Sequence, residues 1–336
     1  MLSRMLGKKY PLTVGIQITN RCNLRCGYCD YTSNSAEGEL SYEEWIKVID
    51  DMHRAGTMAI TISGGEPFLR KDLMKLIAYA KNKKMCVLLC SNGFGVEENI
   101  KELKMVDNIG ISLDGDRAAH DTIRGEGSHK AAVAAILACK DNNIKVTHGA
   151  VLTKINMGEI DYLLSFAKRY GTSVGFQILH YNAADETAAS KNWKASKKIG
   201  DMCPSPEEIK KTFSYLIEKK RLGYPIANSM VYLKAVTEWP CYPNLHHENI
   251  HNKIGCFAGR YYCFIYPDGS LFPCNMFHEN KLNVKDGGFM QAFLKAEKKR
   301  DCNSCLLPCH LERNILSSHK LESALTWYGT ALKNTE

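Results

Sequence analysis

No long apolar run occurs anywhere in the chain. The most apolar stretch, 131–139, is far shorter than the ~20 residues a membrane-spanning helix needs, and it sits in a helical pattern. The first ten residues carry Arg4, Lys8 and Lys9, but no apolar core follows them, so they do not read as a signal peptide. Together these absences predict a cytoplasmic protein with no membrane span. No repeat of fixed period appears, which excludes a solenoid. Nor does charge dominate: 24% charged residues against 45% hydrophobic ones exclude global disorder. The 336 residues suffice for one large core with a smaller unit attached. The first chemical motif begins by residue 22, so an N-terminal peptide-recognition domain is not expected.

A net charge of +8 is a mild basic excess. It suits an anionic partner or simply a solvated lysine-rich surface. The basic runs at 81–84 and 218–221 read as helix ends rather than a binding stripe, and no nucleic acid partner is expected.

Cysteine, by contrast, is abundant, with 14 residues. Disulfides are disfavoured in the cytoplasm, so metal or redox chemistry is the better explanation. The cysteines also cluster. Cys22, Cys26 and Cys29 form one group, Cys256, Cys263 and Cys274 a second, and Cys302, Cys305 and Cys309 a third. The scattered Cys86, Cys90, Cys139, Cys203 and Cys241 read as small buried hydrophobes.

Hydrophobic periodicity predicts strands at 12–18, 57–63, 85–90, 108–113, 144–152 and 173–179. Helices are predicted at 42–55, 71–83, 97–105, 129–142 and 157–170, the first opened by a Ser41/Glu44 capping box. Such alternation implies a parallel sheet with helical crossovers. Six units are fewer than the eight of a closed barrel, so the expected α/β fold is a partial (β/α)6 TIM-like barrel. This core is placed at 1–205. A helical bridge and linker is expected at 206–255, a small cysteine-bearing unit at 256–316 and a closing helix at 317–336. The Pro267-Asp268-Gly269-Ser270 turn marks a hairpin in the third of these.

In a parallel barrel, functional groups gather on the loops after the strands. Here those loops hold Cys22-x3-Cys26-x2-Cys29, Gly64-Gly65-Glu66-Pro67, Ser91-Asn92-Gly93, Ser112-Leu113-Asp114-Gly115 and His180-Tyr181-Asn182. Three thiolates on one short loop suit an iron–sulfur cluster or zinc. Structural zinc normally closes four ligands, and no fourth Cys or His is close in sequence. The Gly-Gly-Glu loop permits close backbone approach and offers carbonyls and a carboxylate to a cationic group, though a tight turn stiffened by Pro67 would look the same.

As an ordered set, these motifs over about 11–182 resemble the radical S-adenosylmethionine (SAM) superfamily. The resemblance implies a 4Fe–4S cluster on Cys22, Cys26 and Cys29 that is also the catalytic centre, with its open iron chelated by the amino and carboxylate groups of SAM. Reductive cleavage of SAM then yields a 5′-deoxyadenosyl radical. Carried over by position, Tyr28 packs near the adenine, and Gly64, Gly65 and Glu66 bind the methionyl amine. Ser91, Asn92 and Asp114 join the SAM-binding loops. Ser112 and Arg124 contact the ribose or carboxylate, unless Arg124 serves a structural ion pair. Leu152 flanks the adenine or packs in the core.

The second and third cysteine groups resemble the SPASM/Twitch extension of some radical SAM enzymes. That implies one auxiliary 4Fe–4S cluster on Cys256, Cys274, Cys302 and Cys305, with Cys309 as substitute or support. A full SPASM domain has seven cysteines; six are available here, so a second auxiliary cluster is not expected. Cys263 is a spare, either a hydrogen-atom donor or an inert buried thiol. Zinc in this unit is the competing reading.

The resemblance also implies a flavodoxin or ferredoxin reductant. The expected reaction is oxidative crosslinking or dehydrogenation of a ribosomally made peptide. Radical modification of a small molecule such as a sugar, nucleotide or lipid precursor is the alternative, and a non-catalytic metal-binding regulator is a remote one. His180, Tyr181, Asn182, Tyr266 and His278 are further pocket candidates.

Overall fold

The computed structural model describes residues 8–29, 35–179, 197–239, 242, 255–275, 281–297 and 305–317. Strands β1 (Thr13–Gln17), β2 (Ala59–Ser63), β3 (Cys86–Ser91), β4 (Asn108–Ser112), β5 (Val146–Leu152) and β6 (Ser173–Ile178) lie side by side in chain order, all parallel. Helices α1 (Tyr42–Arg54), α2 (Leu73–Asn82), α3 (Arg117–Arg124), α4 (Ser128–Asp141) and α5 (Ile160–Tyr170) connect them. This is the expected partial barrel. The Ser41 hydroxyl and the Glu44 side chain cap α1 reciprocally, as the sequence predicts.

Two local expectations fail. Residues 97–105 do not form an α-helix; they turn and end in a 3₁₀ segment, Glu102–Met105. The Asn99 side chain donates to the Gly95 carbonyl at 2.7 Å, the acceptor that a regular helix assigns to the backbone N–H. Helix α3 is absent from the sequence reading, although its ends are marked. Asp116 accepts from Ala119 N–H at its start, and Gly125, with φ 117°, ends it.

The strands alternate faces. Val14, Ile16, Ile60, Ile62, Val87, Leu89, Ile109 and Ile111 pack outward into the core with the helices. The other face holds smaller or polar side chains, among them Gly15, Thr61, Ser63, Cys90, Gly110, Ser112 and Gly149. Cys90 and Gly149 are exposed although they sit mid-sheet, so this inner face borders an open lumen.

After β6 come α6 (Lys197–Met202), α7 (Pro206–Arg221) and α8 (Met230–Thr237). The hairpin then appears as β7 (Tyr262–Ile265) and β8 (Ser270–Phe272), followed by β9 (Leu282–Asn283), α9 (Phe289–Lys295) and α10 (Pro308–Ser317). β7 pairs parallel with β1, extending one sheet of nine strands among the described residues. The cysteine-bearing extension is thereby hydrogen-bonded to the barrel. No described helix is long and apolar enough to cross a membrane.

On the outer face of β5, His148 is fully buried against the edge of Phe166, ring centroids 5.5 Å apart. Burial pushes its pKa down to about 4. The unfolded chain therefore binds a proton from about pH 6.5 downward, while the native state does not until about pH 4. Stability is present above that window and lost on acidification through it. At pH ~5 the His148 contribution to the loss is about 2 kcal/mol. Urea midpoints at neutral and mildly acidic pH should converge in His148→Phe relative to the wild type; an unchanged pH dependence would contradict the assignment.

Candidate active site at the barrel mouth

The loop after β1 carries Cys22, Cys26 and Cys29, each half-buried. It is fixed from several sides. Gly65 N–H donates to Thr19 O at 2.9 Å and Glu66 N–H to Arg21 O at 2.7 Å. Asn92 Nδ2 donates to Asn23 Oδ1 at 2.8 Å, and Gly27 N–H to Ile123 O at 2.9 Å. The glycines are a steric necessity. Gly64 has φ 136°, and a Cβ there would lie 2.5 Å from Thr19 O; a Cβ on Gly65 would lie 2.0 Å from Arg21 O.

Glu66 is buried beneath this loop. Its carboxylate accepts from Asn92 N–H at 2.8 Å, Ser91 Oγ at 3.0 Å and Phe68 N–H at 3.2 Å. Burial nevertheless pushes its pKa up to about 7, against those hydrogen bonds. Ser91, Asn92 and Glu66 thus brace the loops after β2 and β3 against each other, and Asn92 passes that brace on to Asn23.

Asp114 is the second hub. Its carboxylate accepts from Tyr28 OH at 3.2 Å, Arg124 Nε at 2.5 Å and Val151 N–H at 2.8 Å. Its own N–H donates to His120 Nδ1 at 3.0 Å, and its carbonyl accepts from Asn156 Nδ2 at 2.8 Å. The Arg124 guanidinium also lies over the Tyr28 ring, 5.7 Å from its centroid. Burial opposes the arginine's charge, but Asp114 and Tyr28 more than offset it and its pKa is raised. One buried carboxylate thus joins the cysteine loop, α3 and β5.

Tyr28 packs with Val151, Leu179, Met202 and Cys203 in a small apolar cluster at the mouth. Leu152 lies in the main core, so its neighbour Val151 is the side chain brought against Tyr28. Sequence reasoning did not single out Val151, which differs from Leu152 only in the face of β5 it occupies. Ser112 ends β4, half-buried on the inner face.

The donor set fits an iron–sulfur cluster. Three thiols sit on one loop, and Cys22 Sγ accepts a hydrogen bond from Leu24 N–H at 3.5 Å, as a cluster thiolate does. Burial pushes the Cys22 and Cys26 thiols up in the bare chain. Among the described residues, no three Cys, His, Asp or Glu side chains close in on a point as the ligands of a single metal ion would.

Cys256, Cys274 and Cys305 come together around Tyr262 on β7, whose pKa burial and those three thiols raise. Cys274 Sγ lies 3.7 Å from His310 Nε2, and His310 Nδ1 lies 3.1 Å from the Tyr262 hydroxyl. Tyr262 OH donates to Asn314 Oδ1 at 3.2 Å, and Leu307 N–H donates to Cys305 Sγ at 3.3 Å. Sequence reasoning missed Tyr262, His310 and Asn314; the adjacency of His310 to Cys309 was the available signal. Cys309 is exposed and faces Cys90, close enough for their charges to interact. Cys263 is buried in the main core, where burial raises its thiol far above the ordinary range. Tyr266 packs edge-on against Phe272, centroids 5.4 Å apart. Cys302, His180, Tyr181, Asn182, His278 and the closing helix lie outside the described residues.

Residues 16–167, which hold both hubs and the cysteine loop, match the sequence profile of the Radical SAM superfamily. The barrel belongs to the radical SAM superfamily. The matched segment implies SAM and a 4Fe–4S cluster as its cofactors. It is 39% identical over 158 residues to the Fe-coproporphyrin III synthase of Methanosarcina barkeri, a match covering 45% of this chain and 39% of that protein. The chain therefore spans well under half of that relative's length. A longer alignment joins it to the mycofactocin maturase MftC of Mycobacterium tuberculosis: 27% identity over 320 residues, 89% of this chain and 76% of the relative. Among solved structures, Streptococcus suis SuiB bound to its precursor peptide SuiA superposes with a TM-score of 0.66 at 17% identity, covering 88% of this chain and 67% of SuiB. The shared fold thus runs past the radical SAM barrel into the extension, as in SPASM-type proteins.

Proposed function

We propose that this radical SAM enzyme oxidatively modifies a ribosomally made peptide, forming a crosslink or a dehydrogenated residue, with the help of one auxiliary 4Fe–4S cluster. The carrying observation is the second thiol group, Cys256, Cys274 and Cys305, gathered around Tyr262 of a hairpin that pairs with the barrel's own β1. A redox centre there borders the lumen and could take the electron left after hydrogen abstraction. Similarity to a maturase along 89% of the chain supports the same reading.

Cys22, Cys26 and Cys29 would hold the SAM-binding cluster, and Cys256, Cys274 and Cys305, with Cys302 as the fourth ligand, would hold the auxiliary one. When bound and reduced, the cluster and SAM together supply a 5′-deoxyadenosyl radical. The chain does the rest. Gly64 and Gly65 would hold the methionyl amine, on a loop that Glu66, Ser91 and Asn92 keep in place. Tyr28, Val151 and Leu179 would wall the adenine from water. Asp114 fixes Tyr28 with Arg124 beside it, and Ser112 would contact the ribose. A flavodoxin or ferredoxin supplies the electrons, and the setting is the cytoplasm.

The 39% identity to Fe-coproporphyrin III synthase favours a tetrapyrrole as a second reading. The anaerobically reconstituted enzyme, given SAM and dithionite, is offered synthetic precursor peptides and, separately, Fe-coproporphyrin III. Loss of two hydrogens from a peptide, with 5′-deoxyadenosine formed alongside, is the expected result. Turnover of the porphyrin with the peptides untouched would transfer the assignment to the second reading. Absence of 5′-deoxyadenosine from every mixture would remove both.

A further inference from the structure

Arg313, on α10, reaches across to the inner face of the barrel. Its Nη2 donates to Thr61 Oγ1 at 3.2 Å. Its guanidinium lies against two aromatic rings of β7, 5.6 Å from the centroid of Tyr262 and 5.2 Å from that of Phe264. Phe264 in turn lies over Gly15, where a Cβ would meet the ring at 2.4 Å. The arginine is thus held by two rings and one hydroxyl on the inner face of the barrel.

Arg313 Nη1 is buried and has no hydrogen-bond partner among the described residues. None of the ion pairs among the described residues includes it. A buried nitrogen left without a partner is costly, and a guanidinium's planar fork matches a carboxylate with two parallel hydrogen bonds.

Position completes the case. Thr61 is two residues before Ser63 on β2, on the same face, and Gly64 and Gly65 follow directly. Thr61, to which Arg313 bonds, therefore lies about 7 Å deeper along the strand than Ser63 at the mouth. Across the same face the sheet carries Gly110 on β4 and Gly149 on β5, and Cys90 on β3 is exposed. We propose that Arg313 binds a carboxylate of the substrate inside the barrel, so that the enzyme takes a carboxylate-bearing substrate and holds it by that group. This rests on the reading of the lumen as the substrate cavity of a radical SAM enzyme. The carboxylate belongs either to a peptide or to a tetrapyrrole side chain.

The test uses the reconstituted holoenzyme with SAM, in wild type, Arg313→Met and Arg313→Lys. Carbon-13-labelled propionate and its neutral counterpart propionamide are titrated and followed by NMR line broadening. The wild type should bind propionate about tenfold or more tightly than propionamide. Arg313→Met should abolish that preference, and Arg313→Lys should keep part of it. Fe-coproporphyrin III, read by its Soret band, and a precursor peptide with a free or amidated C-terminus identify the source. The probe weakened by Arg313→Met carries the relevant group. Equal binding of propionate and propionamide by the wild type would overturn the proposal. So would unchanged propionate binding in Arg313→Met together with a shifted auxiliary-cluster potential, which would assign the arginine to the cluster. Failure of the wild type to form 5′-deoxyadenosine would remove the proposed function, yet the binding result would stand on its own.

Discussion

Cys22→Ala/Cys26→Ala/Cys29→Ala is expected to form no 5′-deoxyadenosine from SAM and dithionite, while retaining roughly half of the iron of the wild type. The loop offers three thiols and its supports come from backbone and from Glu66, Asn92 and Ile123, none of which the substitutions touch. The barrel should therefore stay folded and lose only its cluster. One SAM-binding and one auxiliary 4Fe–4S cluster predict roughly eight irons per chain in the wild type and about four in the variant. Iron and sulfide analysis after anaerobic reconstitution reads this directly. About four irons in the wild type, all lost in the variant, would remove the auxiliary cluster and with it the oxidation argument. Zinc in place of iron, with no SAM cleavage, would defeat the catalytic assignment of the loop.

The second large effect is at Asp114. The Asp114–Arg124 pair is almost wholly withdrawn from water, with side-chain exposures of 0% and 10%. Arg124→Met strands a buried carboxylate, and Asp114→Asn strands a buried guanidinium. Each single change is expected to cost about 3–5 kcal/mol, because an unpaired buried charge is far less favourable than a neutral packed site. The double variant should cost much less than the sum of the two. Urea unfolding of the four proteins tests this cycle. Additive costs would mean that the carboxylate's bonds to Tyr28 and Val151, not the ion pair, hold the hub together. Because Tyr28 hangs from the same carboxylate, SAM affinity should fall in Asp114→Asn as well.

The barrel was legible because its signal is local. Each strand and crossover helix announces itself within about a dozen residues through its own periodicity. The cysteine loop was legible for the same reason, since its three thiols fall within eight residues. The failures are instructive in the same terms. Residues 97–105 carry helical spacing, but one side chain, Asn99, redirects the hydrogen bonding. Asp114 was visible as part of a loop motif, but its contacts to Tyr28 and Val151 join residues 86 and 37 positions away. The environment of Cys274 was hidden because Tyr262 and His310 meet across 48 residues. Arg313 is the extreme case. It meets Thr61 across 252 residues, so nothing near it in the chain hints at the lumen.

Strand β7 is the seam of the molecule. Without it β1 would be an open edge, with a row of unpaired N–H and C=O groups able to recruit strands from other chains. The hairpin therefore guards the barrel against aggregation as well as carrying cysteines. It also ties the second cysteine group to the first. The register that sets Val14 opposite Cys263 places Tyr262, and with it Cys256, Cys274 and Cys305, at a fixed offset from the loop that β1 feeds.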